Sequence, residues 1–293
     1  MRTRSEDDML DLIIGFAESD DRIRAVSMNG SRVNPNVTRD PFQDYDIVNW
    51  VTEVEPFRNE EHILPRFGEA IVVEQPLIGP WPPDDADGTY HNYNIQLVDG
   101  NRIDLSFCHL DTLKDRLNDS LTAVLLDKDG RIPPLPSPSE RSYFITEPTQ
   151  ELYDGCCTAF LFALGSHIPK TIWRRKLPLL KHLIEGWLRE PVVMMLGWEI
   201  GIRTGREKSL GSQGKYLDSH LAPNVWNDYR KTYVDFDYDN LWESLFLFHR
   251  IFKRSAEFVA AECGFRFPEE AEVKVLAFLE HVRLLPPDAE RIY

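Results

Sequence analysis

The stretch NGSRVNPNVTRDPFQDYDIV, residues 29 to 48, decides the expected fold and the place of its chemistry. It follows a β-like run over residues 23 to 28, and Gly30-Ser31 then predicts a tight turn whose backbone N–H groups can approach an anion. After twelve intervening residues, Asp44 and Asp46 stand at the start of a second strand. Residues two apart in a strand face the same way, so these two carboxylates are expected side by side.

This pair of carboxylates indicates a cation site. Two adjacent carboxylates on a rigid strand are costly unless a cation neutralises them, and ligands made only of oxygen suit Mg²⁺. An Asp-x-Asp tripeptide alone is usually no more than the polar face of a strand. The Gly-Ser turn at this spacing changes that balance and favours a metal site at Asp44 and Asp46.

A third carboxylate, Asp104, belongs to another predicted strand. In RIDLSF, residues 102 to 107, apolar and polar residues alternate, and Asp104 lies on the polar face. Taken alone, it is explained equally well as a solvated surface residue. Three carboxylates that converge from neighbouring strands, however, can hold two metal ions roughly 3.5 to 4 Å apart, the arrangement used in nucleotidyl transfer. Asp44, Asp46 and Asp104 are therefore the predicted catalytic and metal-binding residues.

The surrounding residues predict a mixed β-sheet with flanking helices up to about residue 130. Ser5 and Asp8 resemble a helix-capping box, and apolar residues at helical spacing follow through Ala17. Asp99-Gly100 is a strong signal for a two-residue hairpin turn. The predicted strands cover residues 23–28, 45–51, 70–73, 90–98 and 102–108.

The second half of the chain has a different character. RIPPLPSPSE, residues 131 to 140, contains four prolines and no helical periodicity, which indicates a linker. Beyond it, apolar residues recur at helical spacing almost throughout, predicting about five helices. The expected fold is α+β: a catalytic sheet domain over residues 1–135, and an all-α domain over residues 136–293 that closes the other side of the cleft.

Charge restricts the partners. The 293 residues include 33 Lys and Arg against 48 Asp and Glu, a formal net charge of −15. Such a field repels polyanions and anionic lipids, so neither nucleic acid nor a membrane is expected, whereas a cationic ligand is attracted. The simpler alternative is that the acidity only maintains solubility.

Four cysteines without disulfide or zinc spacing, and an acidic N-terminal stretch unlike a signal peptide, indicate a cytoplasmic protein. The oligomeric state stays open.

The spacing of Gly-Ser, Asp-x-Asp and a distant strand Asp resembles the nucleotidyltransferase superfamily of the DNA polymerase beta type. The longer run resembles one branch, the aminoglycoside 6-adenylyltransferases that inactivate streptomycin. The matching segments are FQDYDI (42–47), DGNRIDL (99–105), LLDKD (125–129), Asp154-Gly155-Cys156-Cys157 and GSQGKYL (211–217). Two positions depart from the pattern. Asn29 stands where the superfamily usually has an apolar residue, and Glu199 stands where the branch leads us to expect a histidine, which concerns the acceptor specificity.

This resemblance implies Mg²⁺-dependent transfer of AMP from ATP to a hydroxyl of an aminoglycoside, with streptomycin as the first candidate and two metal ions in the site. Asp44 and Asp46 would bind the metals, and Asp104 would complete the metal site or act as general base. Glu74, at the end of a predicted strand, is a second base candidate, although a solvent-facing glutamate is the simpler interpretation. The residues predicted to bind the nucleotide are Gly30, Ser31, Arg32 and Lys215.

Lys215 lies in GSQGKYL, which is not a phosphate-binding P-loop. That motif requires a glycine where the chain has Ser209 and a hydroxyl residue where it has Tyr216. The resemblance favours contact between Lys215 and the ATP phosphates; a solvated lysine is the alternative. A cationic acceptor needs carboxylates and aromatic faces, and the candidates are Glu74, Asp154, Trp198 and Glu199.

Two other functions stay open at this point. One is a nucleotide-binding module that keeps the fold without turnover. The other is a nucleotidyltransferase that modifies a different small molecule or a protein. The three carboxylates disfavour the first, because a module that only binds has no need of so costly a cluster.

Overall fold

The computed structural model describes residues 3–76 and 88–293. The chain divides into two compact units, residues 1–142 and 143–293. The first unit contains a mixed β-sheet and the second is helical, so the α+β class predicted from the sequence is confirmed. In the described part of the chain, no helix is long and apolar enough to cross a membrane.

The sheet has six strands in the order β3-β4-β5-β2-β1-β6. Neighbouring strands are antiparallel except for β2 and β5, which are parallel. The five strands predicted from the sequence are all present, with ends that differ by a residue. The sixth was not predicted. The bounds are β1 Ile23–Asn29, β2 Tyr45–Val51, β3 Ala70–Glu74, β4 Tyr90–Leu97, β5 Arg102–His109 and β6 Thr122–Asp127.

Helix α1, Glu6–Glu18, packs against one face of the sheet. It begins with the predicted capping box: Ser5 accepts a hydrogen bond from the backbone of Asp8, and the Asp8 carboxylate accepts one from the backbone of Ser5. Met9, Ile13 and other apolar residues of α1 are buried against inward-facing strand residues. Two further helices of this unit are a single turn each, α2 Glu60–Ile63 and α3 Leu113–Arg116.

The two faces of the sheet differ because strand residues alternate. Tyr45 and Ile47 on β2 point into the core under α1 and are 1% exposed. Asp46 therefore points to the opposite face. The first unit thus has its larger core on the α1 side, and the opposite face combines a smaller apolar cluster around Trp50, Cys108 and Leu113 with polar groups.

The second unit consists of helical segments around its own apolar core. π-helical turns over Ala163–His167 and Leu183–Leu188 join α4 to α5 and α6 to α7, so several segments belong to longer helices. About five helices were expected, and residues 143–293 contain eight α-helical segments. They are α4 Gln150–Phe162, α5 Ile168–Trp173, α6 Leu177–His182, α7 Arg189–Arg203, α8 Leu217–His220, α9 Pro223–Arg230, α10 Tyr238–Cys263 and α11 Glu269–Leu284.

Candidate active site

A row of polar residues crosses the sheet on the face opposite α1. Asp46 of β2 is the Cα partner of Asp104 on β5 and of Asn29 on β1. Asp104 in turn is opposite Asn94 of β4, which is opposite Glu74 of β3. Because partners in register point to the same face, the strand pairing brings the predicted carboxylates together.

The turn after β1 is held directly against this row. Gly30 begins a short 3₁₀ turn, Gly30–Val33, with φ of +76°, a conformation that favours glycine. A Cβ atom at Gly30 would lie 2.0 Å from Oδ2 of Asp46. Two features therefore require glycine at this position: the positive φ of its backbone and the close approach of the Asp46 carboxylate.

Arg32 fastens the turn to the segment before Asp44. Its guanidinium donates to the carbonyl oxygens of Asp44 at 3.1 Å and of Gln43 at 2.7 Å, and it stacks on the Tyr45 ring at 3.6 Å. The side chain is 9% exposed. These contacts position the carboxylate of Asp44, so the nucleotide-binding role predicted for Arg32 would be indirect.

The electrostatics of the three carboxylates are unusual. Burial and, to a smaller extent, the neighbouring carboxylates Asp104 and Asp44 together raise the pKa of Asp46 to about 6. Burial also raises the pKa of Asp44 and of Asp104, although Arg102 opposes the shift in both. The cluster thus carries more negative charge than its surroundings neutralise.

The donor chemistry of this cluster fits a hard cation. All three side chains offer oxygen. Oδ1 of Asp104 and Oδ1 of Asn29, which is opposite Asp46, are buried and accept no hydrogen bond, although Arg102 Nη2 lies 3.0 Å from Asp104 Oδ1. Yet no three ligand-type side chains among residues 3–76 and 88–293 form a preassembled metal cluster. A metal would have to draw the carboxylates of Asp44, Asp46 and Asp104 closer together.

A cavity of about 390 Å³ opens on the same face of the sheet, one row beyond the carboxylates. Val48 and Ser106 line it, and they follow Asp46 and Asp104 by two residues on the same strands. It lies on the side of the row away from Gly30, because β1 ends at the turn. The full lining is Ser27, Asn29, Val48, Trp50, Tyr90, Ser106, Cys108, Asp115, Arg116, Leu117 and Asn118.

Glu74, the second base candidate, ends the row at the other side of the sheet. It is exposed and accepts a hydrogen bond from Asn94 Nδ2 at 3.0 Å. Lys215 is also exposed, two residues before α8, with Nζ 5.1 Å from the Tyr216 ring. It belongs to the helical unit, and its contact with ATP stays a prediction.

The remaining acceptor candidates lie in the helical unit and differ in exposure. Asp154 is exposed on α4, where it accepts a hydrogen bond from Gln150 and borders a cavity of about 800 Å³. Trp198 is 6% exposed and packs in the core. Glu199 is buried beside it and pairs with two arginines. Asp154 is thus the most accessible of the three for a ligand.

Sequence reasoning gave no role to Arg102, which contacts two of the carboxylates. Nη1 donates to Asp44 Oδ2 and Nη2 to Asp104 Oδ2, each at 3.0 Å. The signal was present in the alternation of RIDLSF, since Arg102 precedes Asp104 by two residues and so shares its face.

The model of one protein family, described as streptomycin adenylyltransferase, matches residues 3–282 of the chain. The chain belongs to the streptomycin adenylyltransferase family. The match includes the turn, the three carboxylates and the helical unit, so the family pattern covers the whole arrangement described above.

Relatives of this streptomycin adenylyltransferase family member include curated enzymes. An aminoglycoside 6-adenylyltransferase of Bacillus subtilis is 32% identical over 92% of this chain and 95% of its own length. One from Campylobacter jejuni is 30% identical over 90% of this chain and 91% of its own. A crystal structure of an aminoglycoside 6-adenyltransferase from Bacillus subtilis aligns with 96% of this chain at 28% identity, with a TM-score of 0.48.

The predicted family is therefore confirmed, and with it the reaction class. The chain is an enzyme of the nucleotidyltransferase class.

Proposed function

We propose that the chain transfers AMP from ATP to a hydroxyl of an aminoglycoside, with streptomycin as the first candidate and Mg²⁺ as the required ion. The observation that carries the proposal is the pairing of Asp46 with Asp104 across parallel strands, beside the Gly30 turn. The names of the relatives support the donor group and the acceptor class. A module that only binds nucleotide has no use for carboxylates kept at this cost.

In this proposal the residues around the turn hold the donor. Gly30 allows the backbone and the triphosphate to approach closely, and Lys215 adds positive charge to the phosphates. Asp44, Asp46 and Asp104 would hold the metal, which when bound would neutralise charge that develops on the phosphate oxygens. Arg32 keeps Asp44 in place through its bonds to the backbone.

The reaction is a displacement at phosphorus. The acceptor hydroxyl oxygen forms a bond to the α-phosphorus, the bond from that phosphorus to the bridging oxygen of the β-phosphate breaks, and pyrophosphate leaves. The hydroxyl proton passes to a carboxylate. Asp104 is directly opposite Asp46, whereas Glu74 lies two strands from Asp104 at the edge of the sheet. Asp104→Asn and Glu74→Gln distinguish them, because loss of the base removes the acidic limb of the pH–rate profile.

We place the acceptor hydroxyl on the side of the cavity lined by Val48 and Ser106. An attacking oxygen and its leaving group lie roughly in line, so a pyrophosphate at the Gly30 turn requires the acceptor across the carboxylate row. Glu74 and Asp154 rank first among the candidate contacts to its cationic groups, since both are exposed. Trp198 and Glu199 rank below them because they are buried.

A cytoplasmic location is part of the proposal. All four cysteines are free thiols, which is the usual state in a reducing compartment.

Mass spectrometry of an aminoglycoside panel tests the proposed function. Each panel member is incubated with the protein, Mg²⁺ and one of ATP, GTP, CTP or UTP. A mass gain of one AMP on streptomycin, seen with ATP and abolished by EDTA, is the expected result. No gain on any member would overturn the aminoglycoside as acceptor and direct the search to another small molecule or a protein.

A further inference from the structure

Arg102 joins two of the three carboxylates through a single guanidinium group. It extends from β5, and its two terminal nitrogens donate to Asp44 and to Asp104, each at 3.0 Å. The Arg102 side chain is 43% exposed, and those of Asp44 and Asp104 are 28% and 27% exposed. Arginine is always charged and its planar fork suits two carboxylates at once, so this contact places a permanent cation in the cluster.

Asp46 takes no part in this bridge. The Arg102 ion pairs reach Asp44 and Asp104, and none of the ion pairs formed by the described residues includes Asp46. The guanidinium therefore pairs directly with Asp44 and Asp104, whereas it only partly offsets the charge of Asp46 from a distance. The same bridge holds Asp44 and Asp104 on Arg102, which agrees with the lack of a preassembled metal cluster in the described chain.

We propose that Arg102 is an internal cation that competes with the metal: it neutralises Asp44 and Asp104 in the metal-free enzyme and releases both carboxylates when the metal binds. The inference rests on the proposed function, since it takes the three carboxylates as metal ligands. Arg102 is then a positioning residue that sets metal affinity.

The exposure of Arg102 makes this exchange feasible. A half-exposed arginine regains water when it leaves, and exposed ion pairs are individually weak. A fully buried bridge would resist release, because its charges would lose their partners without gaining solvent. Metal binding thus costs two modest ion pairs and one side-chain rearrangement.

An alternative role for the same contacts predicts the opposite sign. If Arg102 instead orients Asp44 and Asp104 for the metal, its removal weakens metal binding, as loss of an outer-shell partner usually does. If it competes, its removal strengthens binding. The direction of the change in metal affinity therefore separates the two roles.

The test is a titration with Mn²⁺, in which electron paramagnetic resonance measures the free ion in the absence of nucleotide and acceptor. The variants are Arg102→Met, Arg102→Lys and the control Arg131→Met, which removes the same charge from the same unit at a pair with Asp129 after β6. Loss of two exposed ion pairs corresponds to a gain of roughly threefold to twentyfold in Mn²⁺ affinity for Arg102→Met. Arg102→Lys keeps the charge but not the fork, so an intermediate gain is expected. Arg131→Met should stay within about twofold of wild type.

A second readout keeps the proposal testable where a variant is less stable. Without metal, Arg102→Met should unfold at a lower temperature than wild type, and saturating Mg²⁺ should raise its unfolding temperature by more than it raises that of wild type. Equal or weaker Mn²⁺ binding by Arg102→Met than by Arg131→Met would overturn the role of Arg102 while metal-dependent transfer stands. If wild type and variants alike bound no Mn²⁺, even with a non-hydrolysable ATP analogue, the metal site of the proposed function would fail as well.

Discussion

Two acidic sites in this molecule differ in how their charge is neutralised. In the helical unit the Glu199 side chain is 6% exposed, and Arg203 and Arg254 contact it at 2.9 and 2.7 Å. In the sheet unit Asp46 faces Asp104 across β2 and β5, and Arg102 pairs with the neighbours of Asp46 but not with Asp46 itself. Glu199 thus has two cations, whereas Asp46 has two more carboxylates beside it.

The difference supports separate roles for the two acidic groups. Arg203 on α7 and Arg254 on α10 share the Glu199 carboxylate, so these ion pairs link the two helices. Asp46 is costly: its pKa is raised to about 6 by burial and by Asp104 and Asp44. Uncompensated charge of this kind concentrates at functional sites, where a bound cation or a reaction makes use of it.

The largest expected effect is on catalysis. Replacing both Asp44 and Asp46 by Asn removes two proposed metal ligands without a change of shape, so AMP transfer should fall by roughly a thousandfold or more. The rate is measured by mass spectrometry of the aminoglycoside product, and circular dichroism checks that the variant is folded. Transfer at the wild-type rate by this double variant would end the metal-site interpretation.

Gly30→Ala should have the next largest effect. The new Cβ would lie 2.0 Å from Asp46 Oδ2, at a φ of +76°, so the turn or the carboxylate must move. A displacement of about 1 Å in a catalytic group can cost roughly a hundredfold in rate.

Gly100→Ala is the matched control for Gly30→Ala. It is strained in the same way, with φ of +95°, but its Cβ would meet nothing within 4 Å. This variant should lose some stability and keep its activity. Equal losses of activity in both variants would show that backbone strain, rather than the contact with Asp46, explains the effect.

Glu199→Gln should destabilise the helical unit. It leaves Arg203 and Arg254 without their shared carboxylate, and about 2 kcal/mol of unfolding free energy is expected to be lost, less than for a wholly buried pair because both arginines stay about half exposed. Urea unfolding at pH 7 measures it. If Glu199→Gln were as stable as wild type, Glu199 would not stabilise the helical unit, and it would no longer differ from Asp46 in this respect.

The smallest expected effect concerns the approach of the acceptor. The net charge of −15 should attract a polycationic antibiotic, so kcat/KM for the acceptor should fall several-fold as ionic strength rises from about 0.05 to 0.3 M. The kcat value should change less. If kcat/KM did not change with salt, the negative charge would not attract the acceptor, and its role would be to keep the protein soluble.

The sequence predicted most of the sheet because local signals there agree with the fold. The capping box at Ser5 predicted the start of α1, and the Asp99-Gly100 turn predicted the hairpin of β4 and β5. The alternation in β2 and β5 predicted which face of each strand is buried. Strand β6 was missed because its run, TAVLLD, lies between segments without a hairpin signal. Its pairing with β1 is a contact between distant parts of the chain.

The candidate site was predictable in its residue types but not in its contacts. Spacing predicted Asp44 and Asp46 at the start of a strand, and Asp44 does lie directly before β2. Only the parallel register of β2 with β5 puts Asp46 opposite Asp104. The bridge made by Arg102 depends on side-chain geometry, which periodicity does not specify. For the same reason the burial of Trp198 could not be read from the chain.

Urea unfolding of the metal-free protein at pH 4.5 and pH 8 tests most directly whether the protein leaves the charge of Asp46 uncompensated. An acid whose pKa is raised on folding holds its proton more tightly in the native state, so Asp46 destabilises the fold increasingly as pH rises from about 4 to about 6, and the full penalty persists above that range. Asp46→Asn should abolish this penalty. Its stability relative to wild type should therefore increase by about 1 to 2 kcal/mol between pH 4.5 and pH 8.

Asp129→Asn is the control for that measurement, since Arg24 and Arg131 hold the pKa of Asp129 below its usual range and this variant should gain no stability at pH 8. We expect Asp46→Asn to gain unfolding free energy relative to wild type as pH rises, and Asp129→Asn to show no such gain. A stability difference between Asp46→Asn and wild type that is the same at both pH values would contradict this expectation.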